Sequence, residues 1–391
     1  MLKNSKLIFR NIVVFLLVFS LSNHEYNALV SISQAMAGVY VIYLMFVRKD
    51  ATIKRIDKTL IYSYGLFFIS LIISALIVND MASLKKSFNY AYYSLPFWLL
   101  LYLCRFRFPE KTLRVSLMLS ILLVGTYSLY DFVALPIGTR IGGLYDNVNG
   151  FATLLILNLP FIILFFIKSL EETKIRCINM LYCIICILGV GALILTGSRG
   201  GMLGFIVGII FLYIVKYFKN VKYRKFFLFF LIIIITMFSS LFYGNNGLKR
   251  SYDMERLCLI KSSYNMWNDH KIAGVGLTNW KKYYDKYYIL EQAKEPHLDM
   301  PHNTIAFFFS TTGIIGGLGF LVLDLGILRF LIFKMRRQSD NIYLQAMFWA
   351  FIALNVHGLV DAGITMKTAM RLFFALLGIS VASVMYYDKK I

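Results

Sequence analysis

The sequence predicts an all-α integral membrane protein, with about twelve membrane-spanning helices and one long, partly helical loop before the tenth. Three observations predict it. First, the 391 residues are 59% hydrophobic and only 16% charged, where soluble domains average about 45–50% and about 25%; mean hydropathy is +0.68. Second, apolar runs of the ~20 residues needed to cross hydrocarbon recur along the whole chain. Third, the cations fall on alternate connections. This composition excludes a soluble enzyme, a disordered chain and a fibrous protein. Five cysteines are too few and too scattered for a disulfide framework.

Twelve spans are read near 7–22, 26–47, 60–79, 88–104, 112–134, 148–168, 178–196, 200–216, 226–243, 303–333, 342–360 and 368–387. They divide the chain into residues 1–243 (helices one to nine), the loop 244–302 and residues 303–391 (helices ten to twelve). Lys3, Lys6 and Arg10 precede the first apolar run as they would in a signal peptide. More spans follow at once, so a retained first helix is expected. With the N-terminus inside, 26 of the 41 Lys and Arg lie on inner segments. Nine of the rest sit in the loop 244–302. The positive-inside rule then puts both termini in the cytoplasm. The net charge of +21 is an orientation signal, and no nucleic-acid partner is expected; membrane lipids are.

The polar residues concentrate on the opposite, outward side. In the long loop, Met254, Leu257, Ile260, Tyr264 and Trp267 recur at three- and four-residue spacing, predicting an amphipathic helix over 252–267 with these as its apolar face. Trp280, Tyr283, Tyr284, Tyr287 and Tyr288 follow, suited to a membrane–water interface or to stacking on sugars. All five histidines fall on this side.

Several motifs there could carry chemistry. Thr196-Gly197-Ser198-Arg199-Gly200-Gly201 joins spans seven and eight. A glycine-flanked helix start with an arginine fork suits a phosphate; it equally suits a tight helix–helix turn with a snorkelling arginine. Pro301-His302-Asn303-Thr304 opens the tenth span, where His302 is either a general base or a capping histidine. Arg256, with Lys249 and Arg250 upstream, could reach a second phosphate oxygen or form a solvated helix face. His357 and Asp361, spaced i, i+4, and Lys367 and Arg371, spaced likewise, are ionisable groups near a membrane. Such groups usually line a cavity or pair between helices. Asn149 lies in Gly143 to Phe151, whose Asn and Gly read first as a helix cap. Gly313 and Gly317 read as a small-xxx-small helix contact. Cys183 and Cys186 lie inside an apolar span, and no redox role is expected. No outward Asp-x-Asp, zinc-type or nucleotide-loop motif occurs, so neither metal nor cofactor is expected.

In order, Gly143 to Phe151 with Ala152, Thr196 to Gly200, Gly274-Val275-Gly276, and Pro301-His302-Asn303 followed by Gly313 and Gly316 resemble the O-antigen ligase and polymerase superfamily of bacterial envelope glycosyltransferases. The resemblance covers about 143–320, and the length and single large loop look more like the ligases. It implies a GT-C-like architecture in the bacterial inner membrane and a site facing the periplasm. The donor it implies is an undecaprenyl-pyrophosphate-linked glycan, and the acceptor a lipid A–core oligosaccharide. It further implies metal-independent, inverting transfer, with His302 as base and Arg199 and Arg256 on the pyrophosphate. Asn303, Ser198, Asn149, His357, Asp361 and Arg371 are candidate substrate contacts. The rivals are an O-antigen polymerase and, from another class, a lipid or oligosaccharide transporter, which twelve spans and intramembrane Asp324 and Asp361 allow.

Overall fold

The structure is a computed structural model that describes residues 2–23, 27–48, 56–136, 138–145, 147–172, 175–217, 251–293 and 298–388. The expected ninth span, His24, His297, Lys249 and Arg250 lie outside the described residues. Among the described residues every regular element is helical, and the chain is an all-α integral membrane protein. The helices are α1 (Leu2–Ser22), α2 (Asn27–Arg48), α3 (Lys58–Val78), α4 (Met81–Tyr93), α5 (Leu95–Cys104), α6 (Glu110–Ala134), α7 (Val148–Glu172), α8 (Arg176–Leu195) and α9 (Arg199–Tyr217). After the undescribed stretch come α10 (Ser251–Asp269), α11 (Thr304–Arg337), α12 (Ile342–Gly358) and α13 (Lys367–Tyr387).

Eight of these are long and apolar enough to cross a membrane, and α1 and α12 contribute shorter apolar helices. The expected fourth span is divided. Ser94 ends α4, and Pro96 then starts α5, as a proline without an N–H favours a helix's first turn. Three helices form the centre: α7 and α13 are buried over more than four-fifths of their apolar windows, against a third or less for α2, α3, α6, α8 and α9, and α12 is buried along nearly its whole length. The peripheral helices expose large apolar side chains, Phe46 and Val133 among them, as lipid-facing helices must.

Two backbone devices set the shape. The first is a seam. Gly200, Gly204 and Gly208, each one turn apart on α9, face His357, Ala353 and Trp349 of α12; a Cβ on Gly204 or Gly208 would collide with that helix, and one on Gly200 with Val360 just beyond its end. Small residues at this spacing let two membrane helices touch backbone to backbone. Trp349 then donates its indole N–H to the Phe205 carbonyl (2.7 Å). The seam brings the start of α9 against the end of α12.

The second device is a break. Gly313 has φ 64 and ψ −160, inside what otherwise reads as one helix. The reading of Gly313 as a helix-contact glycine is therefore corrected: it interrupts α11. The chain 271–276 fills the gap. Val275 N–H donates to Ser310 O (3.1 Å) and Gly276 N–H to Thr311 O (2.8 Å), while Ile314 N–H donates to Lys271 O (2.8 Å) and Ile315 N–H to Ile272 O (3.3 Å). Peptide groups freed at a kink need such partners in a membrane protein. Gly274 (φ 65) and Gly313 approach so closely that neither tolerates a Cβ.

The helix α10 forms over the expected stretch, but its buried side is not the expected one. Met254, Leu257 and Tyr264 are more than half exposed. Glu255, Cys258, Leu259, Ser262, Ser263 and Met266 are buried instead. Leu259 and Met266 pack on Val275, Trp280 and Tyr284. Trp280 donates to Ser263 Oγ (3.0 Å), and Ser262 donates to Tyr288 O (2.6 Å). Trp280 and Tyr284 are thus the core of the loop, and small serines are what let α10 lie against those rings.

Candidate active site

Counting helix ends, residues 79–81, 135–136, 138–145, 147, 196–198, 251–293, 298–303 and 359–366 share one end of the bundle, here the loop-rich end; the opposite, basic end carries most of the described Lys and Arg. A cleft of about 360 Å³ opens at the loop-rich end. Asn149, Ser198, Arg199, Arg256, His302 and His357 line it, together with Arg140 and Glu255.

The first wall is the start of α9. Gly197 has φ 60, a left-handed turn that glycine adopts without a Cβ penalty. Thr196 Oγ1 accepts from Ser198 N–H (3.1 Å), and Ser198 Oγ accepts from Gly201 N–H (3.4 Å). Ser198 therefore caps the helix and Arg199 is its first residue. A helix N-terminus carries partial positive charge and attracts anions. Arg140, from the connection before α7, lies across from it, donating Nε–H to Thr196 O (2.9 Å) and Nη2–H to Asn149 Oδ1 (3.0 Å). Asn149 thus positions Arg140, while the helix cap of α7 is Asn147, which accepts from Gly150 N–H (3.0 Å). Arg256 comes from α10, beside the buried Glu255. Three arginines and a helix N-terminus converge on one cleft, and the single carboxylate lining it offsets part of that charge.

The second wall carries the imidazoles. His302 is one of two non-glycine residues with positive φ among the described residues, at φ 47. Such a backbone costs energy and is held only when its surroundings fix it. Asn303 does much of that fixing: its Oδ1 accepts from Ala306 N–H (2.8 Å) and its Nδ2 donates to Leu359 O (2.9 Å). The candidate substrate contact Asn303 is therefore a helix cap clamped to the end of α12, and it does not line the cleft. Asp361 lies 3.2 Å from His302 Nδ1 through its Oδ1, and the same oxygen accepts from Ala362 N–H (2.8 Å). The helix α12 ends at Gly358, so Asp361 reaches both histidines from a turn; its Oδ2 lies 3.9 Å from His357 Nε2. Thr153 donates to Asn149 O (2.9 Å), which leaves its oxygen to accept from His357 Nδ1–H at 3.3 Å.

Burial raises the Asp361 pKa, but the His302 hydrogen bond, the two neighbouring imidazoles and the Ala362 N–H outweigh it, and the carboxyl titrates below its ordinary value. An ionised carboxylate only accepts hydrogen bonds. His302 Nδ1 must then be the donor, and in the neutral ring Nε2 carries the lone pair. His302 remains partly open, with its side chain 25% accessible against 6% for Asp361.

Residues 184–321 match the family model described as O-antigen ligase. The matched segment is about a third of the chain, contains Ser198, Arg199, Arg256 and His302, and is consistent with a member of the O-antigen ligase and polymerase superfamily. It supports a role in O-antigen ligation or polymerisation. No curated protein matches the chain. Outside the matched segment, Arg140, Asn149 and His357 complete the same cleft, and Asp361 stands behind it against His302.

Arg371 is not part of it. Its guanidinium lies 5.3 and 5.1 Å from the ring centres of Tyr92 and Tyr93, and it is buried. Asp324 is also elsewhere, accepting from Asn355 Nδ2 (3.1 Å) at an apolar void of about 30 Å³ between helices, room for about one water. Sequence reasoning missed Arg140 and the Asp361–His302 pairing. Asp361 was detectable as an ionisable residue at a span end; Arg140 carried no motif.

Proposed function

We propose that the chain is an O-antigen ligase. It transfers a glycan from undecaprenyl pyrophosphate to a lipid A–core oligosaccharide at the periplasmic face of the bacterial inner membrane. The loop-rich end then faces the periplasm and both termini the cytoplasm, in line with the charge distribution. The observation that carries the reading is the convergence of Arg140, Arg199 and Arg256 with His302 in one cleft. Donor and acceptor both stay in the bilayer, so a site at the membrane surface is what the chemistry needs.

The steps follow from the residues. Pyrophosphate leaves when the charge building on its bridging oxygen is stabilised. Preorganised guanidinium forks and the α9 N-terminus supply that stabilisation in a partly dry cleft. His302 Nε2 removes the proton from the acceptor hydroxyl as its oxygen attacks the anomeric carbon and the carbon–oxygen bond to phosphate breaks. Asp361 holds the ring in the required tautomer and stabilises the imidazolium that forms, as a carboxylate does for a catalytic histidine. One displacement inverts the anomeric carbon, and no protein–sugar bond forms.

Deleting the gene tests the reading. A ligase mutant keeps lipid-linked polymer and has only unsubstituted core. A polymerase mutant still transfers single repeats, and a transporter mutant accumulates its donor on the cytoplasmic leaflet. Either of the last two outcomes would replace the proposal.

A further inference from the structure

A second cleft opens at the loop-rich end, and at about 660 Å³ it is larger than the arginine cleft. The two share a wall. In the run 298–302, Leu298 and His302 line the arginine cleft, whereas Asp299 and Met300 line the other. The candidate base therefore stands on the partition between two cavities. A transferase that joins two membrane-held substrates needs that arrangement, with a separate seat for each and the proton acceptor between them.

The chemistry of the second seat differs from the first. Its cations are ammonium groups: Lys86 from α4 and Lys367 from the start of α13. Arg371 follows one turn after Lys367, against Tyr92 and Tyr93, and adds positive potential behind that wall. Asp299, the carboxylate in the lining, is ion-paired with Lys281 and so cancels little of this charge. Thr365, Thr368 and the phenol ring of Tyr145 also line the cleft. Hydroxyls and an aromatic ring are groups on which sugars hydrogen-bond and stack. A lysine holds an anion as a point charge on a flexible stem and does not impose the planar two-pronged alignment that arginine does. That suits an anchor remote from the reacting hydroxyl, where alignment falls to His302.

We propose that this second cleft seats the acceptor, and that the acceptor is an anionic oligosaccharide, with sugars bearing phosphate or carboxylate groups held by Lys86 and Lys367. The acceptor role rests on reading the arginine cleft as the donor site. The anion-binding role does not, and the two can fail separately.

The test uses the full chain in nanodiscs of phosphatidylcholine, with a deacylated, phosphorylated core oligosaccharide as probe and the same probe after phosphatase treatment. The parent binds the phosphorylated probe at least about tenfold more tightly, the size expected when charge-assisted hydrogen bonds are lost. The double variant Lys86→Ala, Lys367→Ala loses that preference, and Lys86→Arg, Lys367→Arg restores most of it, which shows that the fold is intact. Equal binding of both probes by the parent, or an unchanged preference in the alanine double variant, overturns the proposal. So does displacement of the probe when phosphatidylglycerol is added to the discs, because the cleft is then a lipid-headgroup site. In a transfer assay the alanine double variant raises the KM for phosphorylated acceptor about tenfold while the donor KM stays put. A rise in donor KM instead overturns the acceptor assignment. A parent that binds the probe yet transfers nothing to it removes the acceptor role and leaves an anionic-glycan site.

Discussion

The two ends of the helix pair α11–α12 use similar polar residues in opposite ways. At the basic end, Asn341 caps α12 by accepting from Tyr343 and Leu344 N–H, and its amide donates to Gln338 Oε1 (2.9 Å) and Ser383 Oγ (3.0 Å). Gln338 in turn reaches Val384 O and Asp388, and Lys334 pairs with Asp388 at 3.3 Å. The cluster closes on itself beside packed helices. At the loop-rich end, Asn303 is also a cap, but it clamps a residue with positive φ whose ring opens into a cleft. Asp361 is tied on one side and charged, with two imidazoles near it. Hydrogen-bonded polarity marks both ends. What separates them is that at one end the polar groups satisfy one another, and at the other they are held ready for something absent from the fold.

Substitutions at four positions break or sharpen that contrast. The largest effect falls on His302, the proposed base. His302→Ala lowers turnover by about 10²–10⁴-fold, the usual weight of general-base catalysis, in a steady-state transfer assay with protein of normal thermal stability. His302→Gln retains a hydrogen bond but no base, and near-normal turnover in it would reduce His302 to a positioning group. Arg199→Ala comes next, with a loss of about 10²–10³-fold, as when one charge-stabilising donor is removed from a transition state. Arg199→Lys recovers little, since lysine lacks the fork.

Asp361→Asn follows, at about 10–10²-fold, because the amide can present Nδ2 to His302 and favour the wrong tautomer. Its pH signature separates the two groups. The Asp361 carboxyl is depressed below the ordinary value of about 3.9. Its contribution to stability is therefore complete above that ordinary value and lost only as pH falls through the lower folded one. Activity lost at any higher pH, with the fold intact, therefore does not come from protonation of Asp361. The smallest catalytic effect is at the basic end. Asn341→Ala costs about 1–3 kcal/mol of stability by stripping a cap and buried hydrogen bonds, while transfer per folded molecule stays within twofold. A turnover loss matching that of Asp361→Asn would erase the distinction between the ends.

The sequence carried more of the site than of its supports. Arg199 and His302 were legible because each is a charged or titratable residue at a glycine- or proline-marked helix boundary, and Arg256 because it falls near the start of an amphipathic stretch. Arg140 was not, because its place depends on the Thr196 carbonyl 56 residues away. Apolar spacing found α10 but pointed its apolar stripe inward. Periodicity marks a face without saying what covers it, and here serines face the aromatic core. The α9 seam is written plainly as three glycines four apart, yet only the α12 backbone beside it shows what they are for. Gly313 shows the same limit: a glycine in an apolar run signals close approach, and only a second chain segment tells a contact from a break.

The break at Gly313 also imposes an order on synthesis. The four peptide groups that lose helical partners there find them in residues 271–276, which leave the ribosome before α11 does. A peptide group left unpaired in hydrocarbon costs several kcal/mol. The helix α11 is therefore fully hydrogen-bonded only when residues 271–276 stand folded at its flank. A chain with 271–276 excised would present the membrane with a helix that has a gap in its ladder. Folding of residues 271–276 and completion of that helix's hydrogen bonding are then coupled, so a molecule with the clamp closed already has Arg256 and His302 lining one cleft.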